Sequence, residues 1–179
     1  MNTKKRVVMD ADKIERSIMR ISYEILEDHK GVTDLIFIGI RSGGILLAKR
    51  LSERISRIEG KAIPTGILDI NLYRDDVMMA GGKRKLGETH IPCCLDNKKV
   101  ILVDDVIFTG RTIRAAMDAL MDFGRPKIIR LAVLIDRGHR ELPIRPDYVG
   151  ENLPSSLWEE VNVTLTEAKA HEEVVVIEN

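Results

Sequence analysis

The sequence predicts an α/β fold on a central, mainly parallel sheet with helices on both faces, and three observations lead there. Near-continuous apolar runs at 35–40, 99–103 and 128–135 have strand length and no polar alternation, as strands buried on both faces require. Between them lie longer segments whose apolar residues recur every three or four positions, the spacing of a helix with one buried face. Strand and helix therefore alternate. That order builds a parallel sheet whose ligands gather outside the carboxyl ends of its strands.

In chain order, 12–29 carries Ile14, Ile18, Ile21, Ile25 and Leu26 at helical spacing, and Gly31 suits the helix end. The run 35–40 is a buried strand. A helix is expected over 44–58, with Ile45, Leu46, Ala48, Leu51 and Ile55 on one side. A strand at 63–70 leads into a long irregular stretch, 71–97. The strongest strand, 99–103, precedes a helix over 113–123 with Ile113, Ala116, Met117 and Leu120 on one face and Gly124 at its stop. A strand at 128–135 follows, then short segments near 148–149 and 161–165 and a last strand at 174–177. The chain shows no repeat, low-complexity tract or linker, so one domain over 1–179 is expected.

Composition narrows the function classes. Twenty-eight basic and 28 acidic residues cancel, so any nucleic-acid site has to be a local cluster of cations. No apolar run approaches the roughly 20 residues of a membrane helix, and the first residues lead into no secretory apolar core. A cytoplasmic location is expected. Cys93 and Cys94 are adjacent, which disfavours a bridge, and His29, His90, His139 and His171 have no metal-ligand spacing. Reduced, structural thiols are the expectation.

The chemistry concentrates after the strongest strand, in Val103-Asp104-Asp105-Val106-Ile107-Phe108-Thr109-Gly110-Arg111-Thr112. Thr109 to Thr112 offer backbone N–H groups and hydroxyls at a helix start, whose partial positive charge suits a phosphate. Gly110 allows close backbone approach. Carboxylates one turn away are wrong for phosphate but accept hydrogen bonds from sugar hydroxyls. One loop could hold a phosphorylated sugar by both ends, whereas an ordinary strand-to-helix junction would use Asp105 or Thr109 as a helix cap. Neither G-x-x-x-x-G-K-[ST] nor G-x-G-x-x-G is present.

This loop resembles the signature of the type I phosphoribosyltransferases. The resemblance implies their fold, a parallel sheet with a small hood and a flexible loop. It further implies that Asp104 and Asp105 hold the ribose 2- and 3-hydroxyls of phosphoribosyl pyrophosphate (PRPP), and that 109–112 hold its 5-phosphate. Mg²⁺ would be carried on the pyrophosphate without direct protein ligands, and a base nitrogen would displace pyrophosphate with inversion. The pyrophosphate loop would be Ile40, Arg41, Ser42 and Gly43.

The strings 68–76, Asp122-Phe123-Gly124-Arg125-Pro126 and 131–145 narrow the resemblance to the pyrimidine-operon attenuation regulators that are also uracil phosphoribosyltransferases. That likeness implies uracil, PRPP and UMP or UTP as ligands, leader mRNA as a partner, and a homodimer or higher homo-oligomer. It implies base or nucleotide contacts at Arg137 and Val161, a mobile loop over 73–91 with Arg74 catalytic and Lys83, Arg84 and Lys85 near pyrophosphate, and RNA contacts at Arg20, Arg140 and Arg145. The chain departs from that pattern at Ser42-Gly43, where Thr-Arg is usual, and at Met19, Tyr23 and Glu151, where Thr, His and Lys face RNA. It departs again at 155–159, where Trp158 is open to a core, interface or base-platform role. A salvage enzyme without RNA regulation, a regulator with weakened catalysis, and a purine enzyme stay as alternatives.

Overall fold

The computed structural model describes residues 4–71, 73, 89–169 and 171–178. The strands are β1 (Lys4–Asp10), β2 (Leu35–Ile40), β3 (Thr65–Leu68), β4 (Lys99–Ile107), β5 (Ile128–Asp136), β6 (Tyr148–Asn152), β7 (Glu159–Thr164) and β8 (Glu173–Glu178). The helices are α1 (Ala11–His29), α2 (Gly43–Glu59) and α3 (Arg111–Leu120), and a 3-10 turn, Met121–Phe123, extends α3.

β3, β2, β4, β5 and β6 form a parallel sheet in that order. Its central strands are buried on both faces, and successive side chains feed two cores. Phe37, Ile101, Val103, Ala132 and Leu134 point to one core with Ile18, Ile21 and Ile25 of α1 and Leu47, Leu51 and Ile55 of α2. Ile36, Ile38, Val100, Leu102, Leu131 and Val133 point to the other with Ile113, Ala116, Ala119 and Leu120 of α3. Each fully buried aliphatic side chain is worth roughly 1.5–3 kcal/mol. The predicted arrangement of helices on both faces therefore holds.

From β2 the chain passes by α2 to β3 on one flank, then returns across β2 to β4 and continues outward through β5 and β6. The switch in direction lies between β2 and β4, with Gly39 beside Val103. The loops leaving these two strands consequently emerge side by side, where open α/β sheets bind ligands.

Two expectations are corrected. β4 continues through Ile107, so Asp104 and Asp105 belong to the strand and are not in a loop beyond Val103: pairing with β5 continues on either side of Asp105, through Asp104 opposite Val133 and Val106 opposite Ile135. β1 was not expected, because Lys-Lys-Arg opens it. It pairs antiparallel with β8, which also pairs with β7, and the three form a separate small sheet. The buried pair Arg50–Glu172 ties this sheet to α2: Arg50 Nη1 donates to Glu172 Oε2 at 2.9 Å, and Arg50 Nη2 donates to the other carboxylate oxygen and to the Thr166 carbonyl.

Candidate active site

Three segments meet at the carboxyl edge of the sheet: 41–43 after β2, 104–112 at the end of β4, and 137–144 after β5. Arg41 N–H donates to the Leu68 carbonyl at 2.9 Å, and the Arg41–Ser42 peptide is cis. α2 begins at Gly43, with no side chain capping its N-terminus. The absence of a side chain at 43 and 44 is what lets this loop close on β4. A Cβ at Gly44 would overlap the Val103 carbonyl, and one at Gly43 would overlap the Asp105 carboxyl group.

Asp104 is buried at 6% exposure. Its Oδ1 accepts from Asp105 N–H at 3.0 Å, and Asp105 Oδ1 accepts from Val106 N–H at 2.8 Å. Asp105 is thus not a helix cap. Burial pushes its carboxyl pKa up, and the bonds from Val106 N–H and from Asp104 offset only part of that. A ligand that donates hydrogen bonds, or a cation nearby, would favour the anionic form and lower the pKa again.

Past the acids, Ile107 to Thr112 wrap a concavity of about 360 Å³, with Val106, Ile113 and Glu141 completing its wall. Gly110 turns the chain into α3 at φ 93°, a left-handed conformation that suits glycine, and no side chain caps the helix. Thr109 Oγ1 accepts from Arg111 N–H at a long 3.4 Å. The arrangement is a helix start with no side-chain cap, facing a hollow with room for a phosphate and the sugar attached to it.

The segment after β5 supports this loop from behind. Glu141 N–H and Leu142 N–H donate to the Thr109 carbonyl at 3.0 and 3.2 Å, and Arg140 Nη1 donates to the Phe108 carbonyl at 2.9 Å. Arg140 also reaches the Ile144 carbonyl at 2.9 Å and Asp136 Oδ2 at 2.6 Å. Arg111 Nε meets Glu141 Oε2 at 2.6 Å. Glu141 escaped the sequence reading, because an acid near a phosphate hollow is visible only once the fold brings 141 beside 111.

Arg137 is buried, with its guanidinium 4.2 Å above the centre of the Phe108 ring. It donates to the Ser156 and Glu159 carbonyls at 3.0 and 2.8 Å and so shapes the 155–159 turn. Burial pulls its pKa down, while Glu159 and Glu160 counter the effect. Val161 is half-buried on β7, packed on the core, and its neighbours Val163 and Leu165 face Ser42, Gly43, Leu46 and Asp105 across a hollow of about 250 Å³. Trp158 is 81% exposed, which excludes the core role. Arg74 and the 83–85 cluster lie outside the described residues.

The candidate RNA residues lie on two elements. Met19 and Tyr23 are exposed on α1, and Arg20 between them donates to the Val149 and Gly150 carbonyls at 2.9 and 2.6 Å. Arg145 is exposed, Arg140 is committed to the loop as described, and Glu151 pairs with Lys13 at 3.3 Å. Cys93 and Cys94 are free thiols. Among the described residues no cluster of three His, Cys, Asp or Glu could hold a metal, and no helix is long and apolar enough to cross a membrane.

The family model described as Phosphoribosyl transferase domain matches residues 8–168. The chain is 54% identical over 178 residues to a protein named Bifunctional protein PyrR of Pelotomaculum thermopropionicum, covering 99% of this chain and 98% of the relative. It is 57% identical over 163 residues to the protein of the same name from Acetivibrio thermocellus, covering 91% and 89%. Among solved structures, a hypoxanthine phosphoribosyl transferase of Trypanosoma cruzi superposes with a TM-score of 0.73 at 20% identity, over 99% of this chain and 93% of that one. A hypoxanthine phosphoribosyltransferase of Staphylococcus aureus gives 0.66 at 19%, over 85% and 80%. At those identities the structural likeness speaks for the fold alone.

Proposed function

We propose, from the premise that the chain belongs to the phosphoribosyltransferase family and to its PyrR branch, that the carboxyl edge of its parallel sheet makes UMP and that α1 with its neighbours binds RNA. The protein is a uracil phosphoribosyltransferase that is also a regulator of pyrimidine-operon attenuation. The observation that carries the enzymatic half is the adjacency of β2 and β4. It sets the 41–43 loop, the acid pair and the uncapped start of α3 side by side at the carboxyl edge of the sheet.

In this reading the backbone N–H groups of 109–112 hold the 5-phosphate of PRPP, and Asp104 and Asp105 accept from the ribose hydroxyls. Those bonds fix C1 between the base and the pyrophosphate. A uracil nitrogen attacks C1 as the bond to pyrophosphate breaks, and positive charge on the ribose ring is greatest in between. The anionic acid pair stabilises that charge, and it does so best when ribose hydroxyls satisfy Asp105 and keep it ionised. Arg41, Ser42 and Gly43 lie on the pyrophosphate side, with Ile40 buried behind them at the end of β2, and Arg74 acts in catalysis. Arg137 holds the 155–159 turn that, with Val161, bounds the base.

The carboxylate oxygens of Asp104 and Asp105 are hard donors of the kind Mg²⁺ prefers, and a cation nearby would relieve the burial of the Asp105 charge. Mg²⁺ would be held through the pyrophosphate of PRPP and not by direct protein ligands, and would supply charge neutralisation to the leaving group, with Asp104 and Asp105 adding anionic oxygens nearby. The hypoxanthine enzymes share the fold at 18–20% identity, whereas PyrR proteins match at 50–57% over nearly the whole chain, which favours the pyrimidine base.

RNA binds across the exposed Arg16, Met19, Arg20 and Tyr23 stripe of α1 together with Arg145. Phosphates meet the cations and a splayed base stacks on Tyr23. UMP or UTP strengthens the binding. The domain spans 1–179, acts in the cytoplasm and assembles as a homodimer or higher homo-oligomer. Two measurements test the reading together: uracil turnover in Asp104→Asn/Asp105→Asn, expected to fall by orders of magnitude, and titration of pyrimidine leader RNA with and without UMP. Near-normal turnover in the double variant contradicts the ribose role, and equal affinity for leader and scrambled RNA contradicts the regulatory half.

A further inference from the structure

At the opposite, amino-terminal end of the parallel sheet, a cavity of about 260 Å³ opens between the end of α1 and the starts of β4 and β5. Its charged walls are Asp28 from α1, Lys30 just after it, Lys99 from β4, Lys127 just before β5 and Arg130 from β5. The charge is one-sided. Asp28 is the lone carboxylate in the lining and is already engaged: it accepts from Tyr148 Oη at 2.6 Å and faces Arg130 Nε at 3.5 Å. Arg130 is fixed on its other side by Asp147 at 2.7 Å.

Lys98, one position before Lys99, shows the ordinary arrangement, an ion pair with Asp34 at 2.9 Å. Lys30, Lys99 and Lys127 have no such carboxylate among the described residues. Lys99 Nζ instead donates to the His29 carbonyl at 3.3 Å, which offsets the partial negative charge at the end of α1. Three ammonium groups around one hollow repel each other, and an anion placed there relieves the repulsion.

The cavity also has a position. Arg16 and Tyr23, seven residues apart and both exposed, share one side of α1, and the exposed Lys30 caps the carboxyl end of the same helix in a left-handed conformation. The exposed surface assigned above to RNA and the basic cavity thus belong to one helix, with the cavity at its carboxyl end. The structure assigns this cavity, we infer, as a phosphate subsite for an RNA backbone. Lys30, Lys99 and Lys127 supply the charge, and Arg130, braced by Asp147, forms a fixed wall. The assignment rests on the RNA-binding reading and extends its footprint to residues remote from the catalytic edge.

The test compares the full-length wild type with Lys30→Asn/Lys127→Gln. Both positions are exposed, and Asn tolerates the left-handed backbone at residue 30, φ 51°. Each protein is titrated with a hairpin from a pyrimidine leader across a salt series, and separately with inorganic phosphate alone, followed by the NMR signals of His29. The variant is expected to bind the hairpin about tenfold more weakly, with a salt slope shallower by about one per lost phosphate contact, and with uracil turnover unchanged. Unchanged RNA affinity and slope overturn the assignment; phosphate binding at His29 in that case makes the cavity a site for a free anion. A wild type that binds no leader RNA overturns the regulatory reading along with this one, and is thereby distinct from a variant that binds as well as wild type.

Discussion

The backbone of Gly43 lies so close to the Asp105 carboxyl group that no side chain can be added at 43 while Asp105 keeps its position. The resembled family carries arginine at this place. Gly43→Arg has to turn the Asp105 carboxyl aside, and in return sets a guanidinium on the pyrophosphate side. A charge-assisted contact of that kind is worth about 1.4 kcal/mol, so the KM for PRPP is expected to fall about tenfold. Steady-state kinetics with PRPP varied decides it: an unchanged or higher KM means that the close approach of Gly43 to Asp105 is itself needed.

Asp105 also links activity to stability. Burial raises its pKa, so the folded chain binds the proton more tightly than the unfolded chain. That contribution is present below the ordinary carboxylate range and is lost as pH rises through the raised value. Above that range the buried carboxyl costs stability, so at pH 7 Asp105→Asn should stabilise the fold by about 1 kcal/mol while turnover falls. The gain should vanish near pH 3, where both forms are neutral. Thermal melts at the two pH values check this, and a destabilised variant at pH 7 contradicts it.

The pair Arg50–Glu172, 8% and 2% exposed, fastens the small sheet to α2. Glu172→Gln leaves the guanidinium without its counter-charge and should cost about 3 kcal/mol in urea unfolding. A loss under 1 kcal/mol would show that the Thr166 carbonyl alone satisfies Arg50.

His29 is buried beside Tyr148 Oη at 3.3 Å, and burial lowers its pKa. A depressed pKa contributes stability above the ordinary imidazole value, and the contribution is lost as pH falls through the lowered one. Unfolding free energy should therefore drop below about pH 6.5, and His29→Gln should flatten that limb. An identical acid limb in the variant assigns the loss to other groups.

The parallel sheet and its order of elements were legible because strands buried on both faces read as apolar runs, and the acid pair with Thr109-Gly110-Arg111-Thr112 marked the site. β1 was not legible. Its lysines and arginine lie on a half-exposed antiparallel sheet whose pairing with β8 joins residues some 170 positions apart, and no local pattern encodes that. The strand character of Asp104 and Asp105 was hidden for a similar reason: carboxylates disfavour strands, and pairing with β5 overrides the preference. Arg140, expected on the RNA surface, instead spends its guanidinium on Phe108, Ile144 and Asp136. Arg140→Ala would therefore disturb the phosphate loop as well, and Arg145 and Tyr23 are the cleaner probes of RNA contact.

The central claim is that this edge of the sheet joins PRPP to a pyrimidine base. Uracil, hypoxanthine, guanine and orotate, each supplied with PRPP and Mg²⁺ under identical conditions, test it most directly, with nucleotide and pyrophosphate both quantified. The account predicts UMP and pyrophosphate in equal amounts from uracil, at a kcat/KM well above that of the other three bases, and loss of both products in Asp104→Asn/Asp105→Asn. Turnover of hypoxanthine or guanine above uracil would contradict it.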